Sequence, residues 1–240
     1  MRYFTKEWYN DTMIADMCFQ LRKNESAATF SEKFFERLYT VEERAYAKYC
    51  KRQSRAAKTG FDKNASRLEF AKNYEDNLAF VRANLPEDIL ADVKDIRVLA
   101  LGTATNDIAM RITRFCGKKN RLCEATERSY NNASEEADEK IGGAAASRLI
   151  SLTGARIAAL EKSGDNATLI FYPAQSAETK RLILKDAIVT DDKDGGLNEA
   201  SVIKYELLVA DEGGFEFSIL ALGKDSELLT ASYRISGIEI

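Results

Sequence analysis

The sequence predicts an α+β protein, with a helical N-terminal region followed by a C-terminal antiparallel β-sheet of five or six strands. Apolar residues recur at helical spacing through roughly the first 140 residues, whereas those from about 156 onward alternate with a period of two. Short glycine-rich connections in the second part favour antiparallel pairing of successive strands. The change of period places a helical domain at 1–145 and an antiparallel β domain at 150–240.

Two capping boxes mark helix starts in the first third of the chain. Thr29 with Glu32 predicts the start of a short helix, and Thr40 with Glu43 predicts the start of another that runs to about Lys58. In a capping box, the side chains at the two ends of the first turn satisfy backbone N–H groups that the helix leaves free.

The remaining helices follow from apolar spacing and from breaker residues. We expect helices over 5–21 and 62–85, and one that Thr105 caps and Gly117 ends, followed by more helix over 120–140. The segment 89–101 fits both helix and strand, and we favour helix. Gly142-Gly143 is the best candidate for a hinge between the two domains.

The second part of the chain carries the expected strands. Segment 150–161 is ambiguous, because Ala155–Leu160 also suits the end of a helix. Elsewhere, alternation and turn sequences such as Asp211-Glu212-Gly213-Gly214 are typical of antiparallel strands. The expected strands cover 156–161, 167–172, 181–190, 201–210, 215–222 and 227–240.

The chain contains no histidine. Catalytic triads that depend on histidine, histidine-containing zinc sites and iron sites with two histidines are therefore excluded. No remaining motif identifies a catalytic residue, a metal site or a cofactor, so we predict none of these. Carboxylates, tyrosines, lysines and cysteines remain as proton carriers, which keeps open an enzyme that works without histidine, such as a carboxylate-based hydrolase with its cleft between the two halves.

Four cysteines, no signal sequence and no long apolar run indicate a cytoplasmic protein without a membrane span. Cys116 and Cys123 lie two helical turns apart and share a face, which favours buried thiols over a metal or redox site. Cys18 and Cys50 show no metal-ligand spacing.

Charge is distributed unevenly along the chain. Residues 1–150 carry 26 Lys+Arg and 23 Asp+Glu, a net charge of +3, while residues 151–240 carry 9 and 15, a net charge of −6. An acidic β half favours a basic protein as a partner and repels nucleic acid. We therefore expect the acidic sheet face or the groove between the halves to be the working surface.

Three further segments have both a functional and a plain structural interpretation. Asp191–Gly196 resembles a calcium loop, but Val202 stands where the loop needs a glutamate, so we expect a solvated turn. Leu101–Thr105 precedes a helix and fits ordinary capping better than an anion site. The basic segment 44–72 interleaves nine cationic residues with aromatics, but a solvated helix face is favoured over nucleic-acid binding because the whole chain has a pI near 5.4.

The N-terminal segment Tyr3–Tyr9 resembles the start of the bacterial domain-of-unknown-function family 4085. Leu85–Leu90 leading into Asp95–Gly102, and the terminal Ser236–Ile240, add to the resemblance. Members of that family carry a histidine-containing stretch where this chain has Leu152-Thr153-Gly154, so no histidine-dependent role carries over. The resemblance implies a bacterial protein and one architectural unit, and it brings no activity with it.

Trp8 and Tyr9 are the candidate binding residues, although a tryptophan near the start of an amphipathic helix is commonly a packing anchor. Together these observations predict a non-enzymatic binding or protein-interaction module. The alternatives are the carboxylate-based hydrolase and nucleic-acid binding through 44–72.

Overall fold

The computed structural model describes residues 1–17, 21–174, 176–191 and 196–239. Its contacts form two compact units, which we call the sheet unit (Met1–Thr12 with Arg121–Ile240) and the helical unit (Met13–Asn120). These units have other bounds than the domains 1–145 and 150–240, which stay a prediction. Among the described helices, none combines the length and the apolar character that crossing a bilayer requires.

Helices and short extended segments alternate in the first part of the chain. In order they are α1 (Lys6–Met17), β1 (Arg22–Lys23), a 3₁₀ helix (Glu25–Ala28), α2 (Glu32–Ala56), α3 (Lys63–Asn84), α4 (Glu87–Asp92), α5 (Ile96–Ala100), β2 (Thr103–Ala104), α6 (Asn106–Ile141) and α7 (Gly143–Ile150). β1 and β2 pair in parallel as a two-stranded sheet that the sequence did not predict. Predicted helix residues 18–20, including Cys18, lie outside the described residues.

The two helices expected on either side of Thr40 are one continuous helix, α2. Ser31 is its N-cap, and the Ser31 hydroxyl accepts a hydrogen bond from the Phe34 amide. Thr40 does not cap a helix, because its hydroxyl donates to the Glu36 carbonyl one turn earlier within α2. The prediction of a break at Thr40 was therefore wrong.

Helix α6 likewise continues through Gly117, where the sequence predicted a stop. A glycine inside a helix costs roughly 1 kcal/mol relative to alanine, which tertiary packing readily offsets. Here Cys116 and Cys123 are both buried on either side of Gly117. The helix ends only at Ile141, and Gly142, with φ of +83°, separates α6 from α7.

Segment 89–101 is helical but interrupted. It forms the end of α4 and all of α5, which are separated at Val93–Asp95. Asp95 caps α5 by accepting a hydrogen bond from the Arg97 amide. An internal capping residue explains why neither a single helix nor a strand forms here.

Eight antiparallel strands make up the main sheet, in the order β10-β5-β4-β3-β7-β8-β9-β6. The strands are β3 (Arg156–Ser163), β4 (Asn166–Tyr172), β5 (Lys180–Lys185), β6 (Ile188–Asp191), β7 (Ser201–Val209), β8 (Phe215–Leu222), β9 (Leu228–Ile235) and β10 (Gly237–Glu239). The α+β class, with its helices first and its antiparallel sheet second, is therefore confirmed. Residues 192–195 of the acidic turn and Ile240 lie outside the described residues.

The count of five or six strands was wrong because two expected strands are each bent into two. Only Asp186 and Ala187 separate β5 from β6, and only Ser236 separates β9 from β10. β5 pairs with β10 and β6 pairs with β9, so the two ends of the sheet meet along these bent strands. The sheet thus closes on itself and exposes no long unpaired edge there.

Along the strands, alternate side chains face the inside of the closed sheet. This interior forms a continuous apolar core in which Phe171, Phe217 and Tyr233 are the largest side chains. Leu149 of α7 and the following Leu152 belong to the same core and are fully buried. Segment 150–161 therefore enters the core as the end of a helix and then as strand β3.

We predict that Phe217→Ala lowers the free energy of unfolding by about 3–5 kcal/mol, because it leaves a cavity in the interior of the closed sheet. The matched control is Ile188→Ala, since Ile188 is 64% exposed and its loss should change stability by less than about 0.5 kcal/mol. Urea unfolding followed by circular dichroism measures both. Equal effects of the two substitutions would show that the interior core is not the source of stability.

Candidate functional site

Trp8 lies in an apolar cluster of the sheet unit. It is 8% exposed, and its ring stacks edge-on against Phe4 at 4.8 Å between centroids. The Lys204 ammonium lies 5.2 Å from the Phe4 centroid and 5.8 Å from the Trp8 centroid, within cation–π range. Tyr9 is half-buried against the same cluster. Both residues contribute packing, and the binding role expected of them stays a prediction.

A carboxylate buried beneath this cluster holds the N-terminal segment. Glu206 of β7 is only 2% exposed and accepts backbone hydrogen bonds from Arg2, Tyr3 and Phe4 at 2.8, 2.7 and 2.6 Å. Three successive N–H groups directed at one carboxylate form an anion-binding nest, which compensates the charge for its lost hydration. Glu206 therefore fixes the first residues of the chain and leaves no free charge for a ligand.

Buried tyrosines follow on α6 and β7. Burial raises the pKa of Tyr205 to about 12, with a smaller contribution from Asp138. Burial also raises the pKa of Tyr130, whose hydroxyl accepts a hydrogen bond from the Leu207 amide at 3.2 Å. A catalytic phenolate needs the opposite shift, so neither tyrosine is set up to ionise near neutral pH.

The carboxylates and thiols of the described residues form no metal-binding group of three or more members. A cavity of about 360 Å³ beside the start of α6 is lined by Asp92 and Asp95. Arg111 pairs with Asp92, and Arg97 pairs with Asp95 at 2.9 Å. The charges of these two carboxylates are therefore already neutralised within the helical unit.

The most concentrated free charge lies on α2. This helix packs through one face only, where Phe35, Tyr39 and Tyr46 contact Phe70 and Tyr74 of α3. The ring centroids are 5.1–6.2 Å apart, the range in which aromatic pairs attract one another. The opposite face of α2 is exposed over most of its length, with Phe34 buried near its start.

That opposite face carries a row of cations, which we call the basic stripe. At 100° per residue, its seven members fall within about 120° of the helix circumference, and over 22 residues they extend about 33 Å along the axis. All seven are exposed, and none forms an ion pair with a described residue. The stripe consists of Lys33, Arg37, Arg44, Lys48, Lys51, Arg52 and Arg55.

A shallow groove of about 740 Å³ runs beside the first half of the stripe. Lys33, Arg37 and Arg44 line it on one side, and the guanidinium of Arg37 is supported by the Phe34 ring at 5.6 Å. The groove thus combines three cations with the hydroxyls of Ser26, Thr29 and Ser31, a mixture that holds phosphate oxygens in proteins, and it contains one carboxylate, that of Glu36.

An exposed aromatic ring lies at the start of α2, on the side of the helix where Phe35 packs. Phe30 is 64% exposed, and the Arg97 guanidinium lies 5.0 Å from its ring centroid and 4.3 Å from that of Phe35. Arg97 is held in place by hydrogen bonds to Asp95 and Glu32 at 2.9–3.1 Å, and these bonds raise the pKa of its guanidinium. Phe30 is consequently an exposed ring on a fixed support.

A second exposed ring borders the other half of the stripe. Tyr49 is 57% exposed and lies 6.3 Å from Tyr46, which itself packs on Phe70. Lys48 precedes Tyr49 in the chain and Arg52 follows one turn later. An aromatic ring and two cations therefore share this part of the surface.

The sequence indicated only part of this surface. The basic segment 44–72 was noted, but the break expected at Thr40 separated Lys33 and Arg37 from it. Heptad spacing of Arg37, Arg44 and Lys51 was the signal that would have joined them. The support of Phe30 by Arg97 depends on a contact between residues 67 positions apart, which no local pattern reports.

We predict that Glu206→Gln lowers the free energy of unfolding by about 1–3 kcal/mol, because the amide loses the charge that three backbone N–H groups stabilise. Glu216→Gln is the control. The Glu216 carboxylate pairs with the exposed Arg2 side chain at 2.9 Å, and surface pairs contribute at most about 1 kcal/mol. Urea unfolding of the two variants compares them, and an equal loss would contradict a special role of Glu206.

We also predict that stability falls as the pH rises from about 10 to about 12. The folded state raises the pKa of Tyr205 above the usual value of about 10, so folding retains its proton. This contribution is complete below pH 10 and is lost as the pH passes through the folded value. Tyr205→Phe should therefore lose less stability over this window, as measured by urea unfolding at several pH values. The exposed Tyr49→Phe is the control and should follow the unchanged protein.

Comparison with family models, with curated protein sequences and with solved structures finds no match to this chain. The resemblance of Tyr3–Tyr9 and the later segments to domain-of-unknown-function family 4085 therefore stays a prediction.

Proposed function

We propose that this chain is a non-enzymatic binding protein and that the basic stripe of α2 holds the sugar–phosphate backbone of a nucleic acid. The observation that carries the proposal is the row of seven unpaired, exposed cations along about 33 Å of one helix. Nucleic acids present a regular row of negative charges, and neutralising them releases condensed counterions. A linear array of cations suits such a polymer better than it suits a small anion.

The groove beside the stripe supports a phosphate as the group that is bound. Arg37 and Arg44 offer planar, forked donors for phosphate oxygens, and the hydroxyls of Thr29 and Ser31 add neutral donors.

An acidic protein is the competing occupant of the stripe. Stable protein interfaces have an apolar centre with a polar rim. Val41 is the exposed apolar residue within the angular range of the stripe, and cations surround it. The composition of this face therefore favours phosphates over a protein surface.

The acidic pI of the whole chain does not oppose this proposal. The helical unit carries 20 Lys+Arg and 15 Asp+Glu, a net charge of +5, and the remaining residues carry 15 and 23, a net charge of −8. At physiological ionic strength the Debye length is about 8 Å. The local cations of α2 thus decide what binds there.

The other hypotheses rest on weaker support. The net charge of the sheet unit supports a basic protein as the partner of the acidic β half. The described residues of that unit show no row of acidic side chains comparable to the stripe. A carboxylate-based hydrolase needs two carboxyl groups, one protonated and one ionised, on either side of its substrate. Burial raises the pKa of Asp138, and no charged group among the described residues adds to that shift. A cytoplasmic location also stays a proposal.

We predict that a labelled mixed-sequence oligonucleotide binds with an affinity that falls steeply between about 50 and 200 mM salt. The triple variant Lys48→Gln, Lys51→Gln, Arg55→Gln should weaken binding at least tenfold and reduce the logarithmic salt slope by about 2–3, since each lost phosphate contact reduces it by about 1. Fluorescence anisotropy at several salt concentrations measures both quantities.

The control variant carries the same change of charge elsewhere, with Lys94→Gln, Lys162→Gln and Arg181→Gln, all of which replace exposed cations outside the stripe. It should bind as the unchanged protein does. Two competitors test whether the stripe prefers another polyanion to nucleic acid. They are polyglutamate, as an acidic polypeptide, and vesicles of anionic lipid. Failure to bind any oligonucleotide at low salt, or displacement by polyglutamate at lower charge concentration than by nucleic acid, would falsify the proposal.

A further inference from the structure

The basic stripe lies on a helix whose shape is fixed before anything binds. α2 is a single helix of 25 residues that contains neither glycine nor proline, the residues at which helices ordinarily bend. Ser31 caps its start, and its aromatic side attaches it to α3. The cations of the stripe are therefore arranged along a nearly straight line of about 33 Å.

These cations form two groups with an uncharged interval between them. Lys33 and Arg37 make up the first group, and the second extends from Arg44 to Arg55. The seven positions from Arg37 to Arg44 correspond to about 10.5 Å along the helix axis. Of the residues between these two arginines, only Val41 is exposed, and its side chain is apolar.

The two carboxylates within this interval are directed away from the stripe. Glu42 pairs with Arg22 at 2.7 Å, and Glu43 pairs with Arg67 at 3.0 Å. At 100° per residue, each glutamate lies about 80° from the nearest cation of the stripe. The interval therefore interrupts the positive charge of the stripe without introducing a negative charge into it.

A DNA duplex presents its charge in the same interrupted pattern. Its two phosphate rows border a major groove about 12 Å wide, in which uncharged base edges and thymine methyl groups are exposed. The interval of about 10.5 Å between Arg37 and Arg44 is close to that width. Each group of cations can thus contact one phosphate row while Val41 faces the groove. An RNA duplex has a deep and narrow major groove instead, so the match is specific to B-form DNA.

A single strand lacks this match. Its backbone is flexible and has no second phosphate row at a fixed distance, so binding has to order it. Proteins that bind single strands offset this cost with aromatic rings on which bases stack. In α2, which is described throughout, Tyr49 is the one exposed aromatic side chain, and it lies about 60° outside the stripe. The stripe itself therefore offers no stacking platform.

We infer that the basic stripe binds double-stranded DNA in preference to single strands, with its two groups of cations on the two sides of the major groove. This inference rests on the proposed function, because the phosphate contacts of the stripe supply the affinity. It adds the form of the nucleic acid and the roles of the two groups. Lys33 and Arg37 contact one phosphate row, and the cations from Arg44 onward contact the other.

The first experiment compares three forms of one sequence of about twelve base pairs at the same low salt concentration. They are the DNA duplex, its single strand and the corresponding RNA duplex. Fluorescence anisotropy should show the DNA duplex bound at least about tenfold more tightly than either of the other forms. Tyr49→Ala should leave duplex affinity unchanged, because no base stacks on this ring.

The second experiment tests the groove with modified DNA and the unchanged protein. A duplex whose pyrimidines carry bulky substituents at C5 has its major groove filled, and it should lose at least about tenfold in affinity. The matched control is the unmodified duplex saturated with a ligand of the minor groove, which should bind nearly as well as the free duplex.

The third experiment tests the first group of cations. Lys33→Gln with Arg37→Gln should weaken duplex binding at least about fivefold and reduce the logarithmic salt slope by about 2. Lys94→Gln with Lys162→Gln is the control of equal charge. Circular dichroism checks that both variants remain folded. If the first variant does not fold, the modified duplexes still decide the question.

The outcomes distinguish the two claims. Equal or tighter binding of the single strand or of the RNA duplex overturns the inference and leaves the proposed function intact. Undiminished binding of the C5-substituted duplex, or of the Lys33, Arg37 variant, does the same. If no oligonucleotide binds at low salt, the proposed function and the inference both fall.

Discussion

Packing of α2 through a single aromatic face is the constraint on which the surface of the helical unit depends. Phe35, Tyr39 and Tyr46 attach the helix to α3, and the cations on its other side are exposed. Cations one turn apart, such as Arg44 with Lys48 and Lys51 with Arg55, repel each other by about 0.2–0.5 kcal/mol per pair. The aromatic contacts must offset this repulsion for the helix to persist. An anionic ligand would relieve it, so the folded chain retains a local electrostatic cost at the surface where we place its function.

Arg97 joins α5 to the packed side of α2. Its partner Asp95 is 6% exposed, so removing Arg97 would leave a buried, partly unpaired carboxylate at the start of α5. The same guanidinium is held by Glu32 of α2 and lies between the rings of Phe35 and Phe30. One side chain therefore caps a helix, ties two helices together and supports an exposed ring. Phe30 owes its fixed position to this arrangement rather than to burial of its own.

Local patterns predicted the fold class well, because alternation in Phe215–Leu222 and helical spacing in 62–85 each depend on neighbours in sequence. They failed where tertiary packing overrides a local signal. Thr40 fits a capping box but bonds back to Glu36 within a longer helix, and Gly117 is carried inside α6 by burial on both sides. The bends at Asp186 and Ser236 are properties of a sheet that closes on itself, so the strand count could not be read from the alternation of either strand. The same error hid the full length of the basic stripe from the sequence analysis, because a helix break at Thr40 would divide the stripe.

The segregation of charge along the chain limits where a polyanion can bind. The residues of the sheet unit carry a net charge of −8, so their surface repels phosphates at the distances over which charges act in physiological salt. The cations of α2 lie in the half of the chain with a net charge of +5 and are left unpaired there, whereas Arg111 and Arg97 of the same unit are consumed by ion pairs with Asp92 and Asp95. Cations that stabilise the fold and cations that are free to bind are thus different residues. This division is what allows the stripe to be neutralised in an experiment without loss of the structure that presents it.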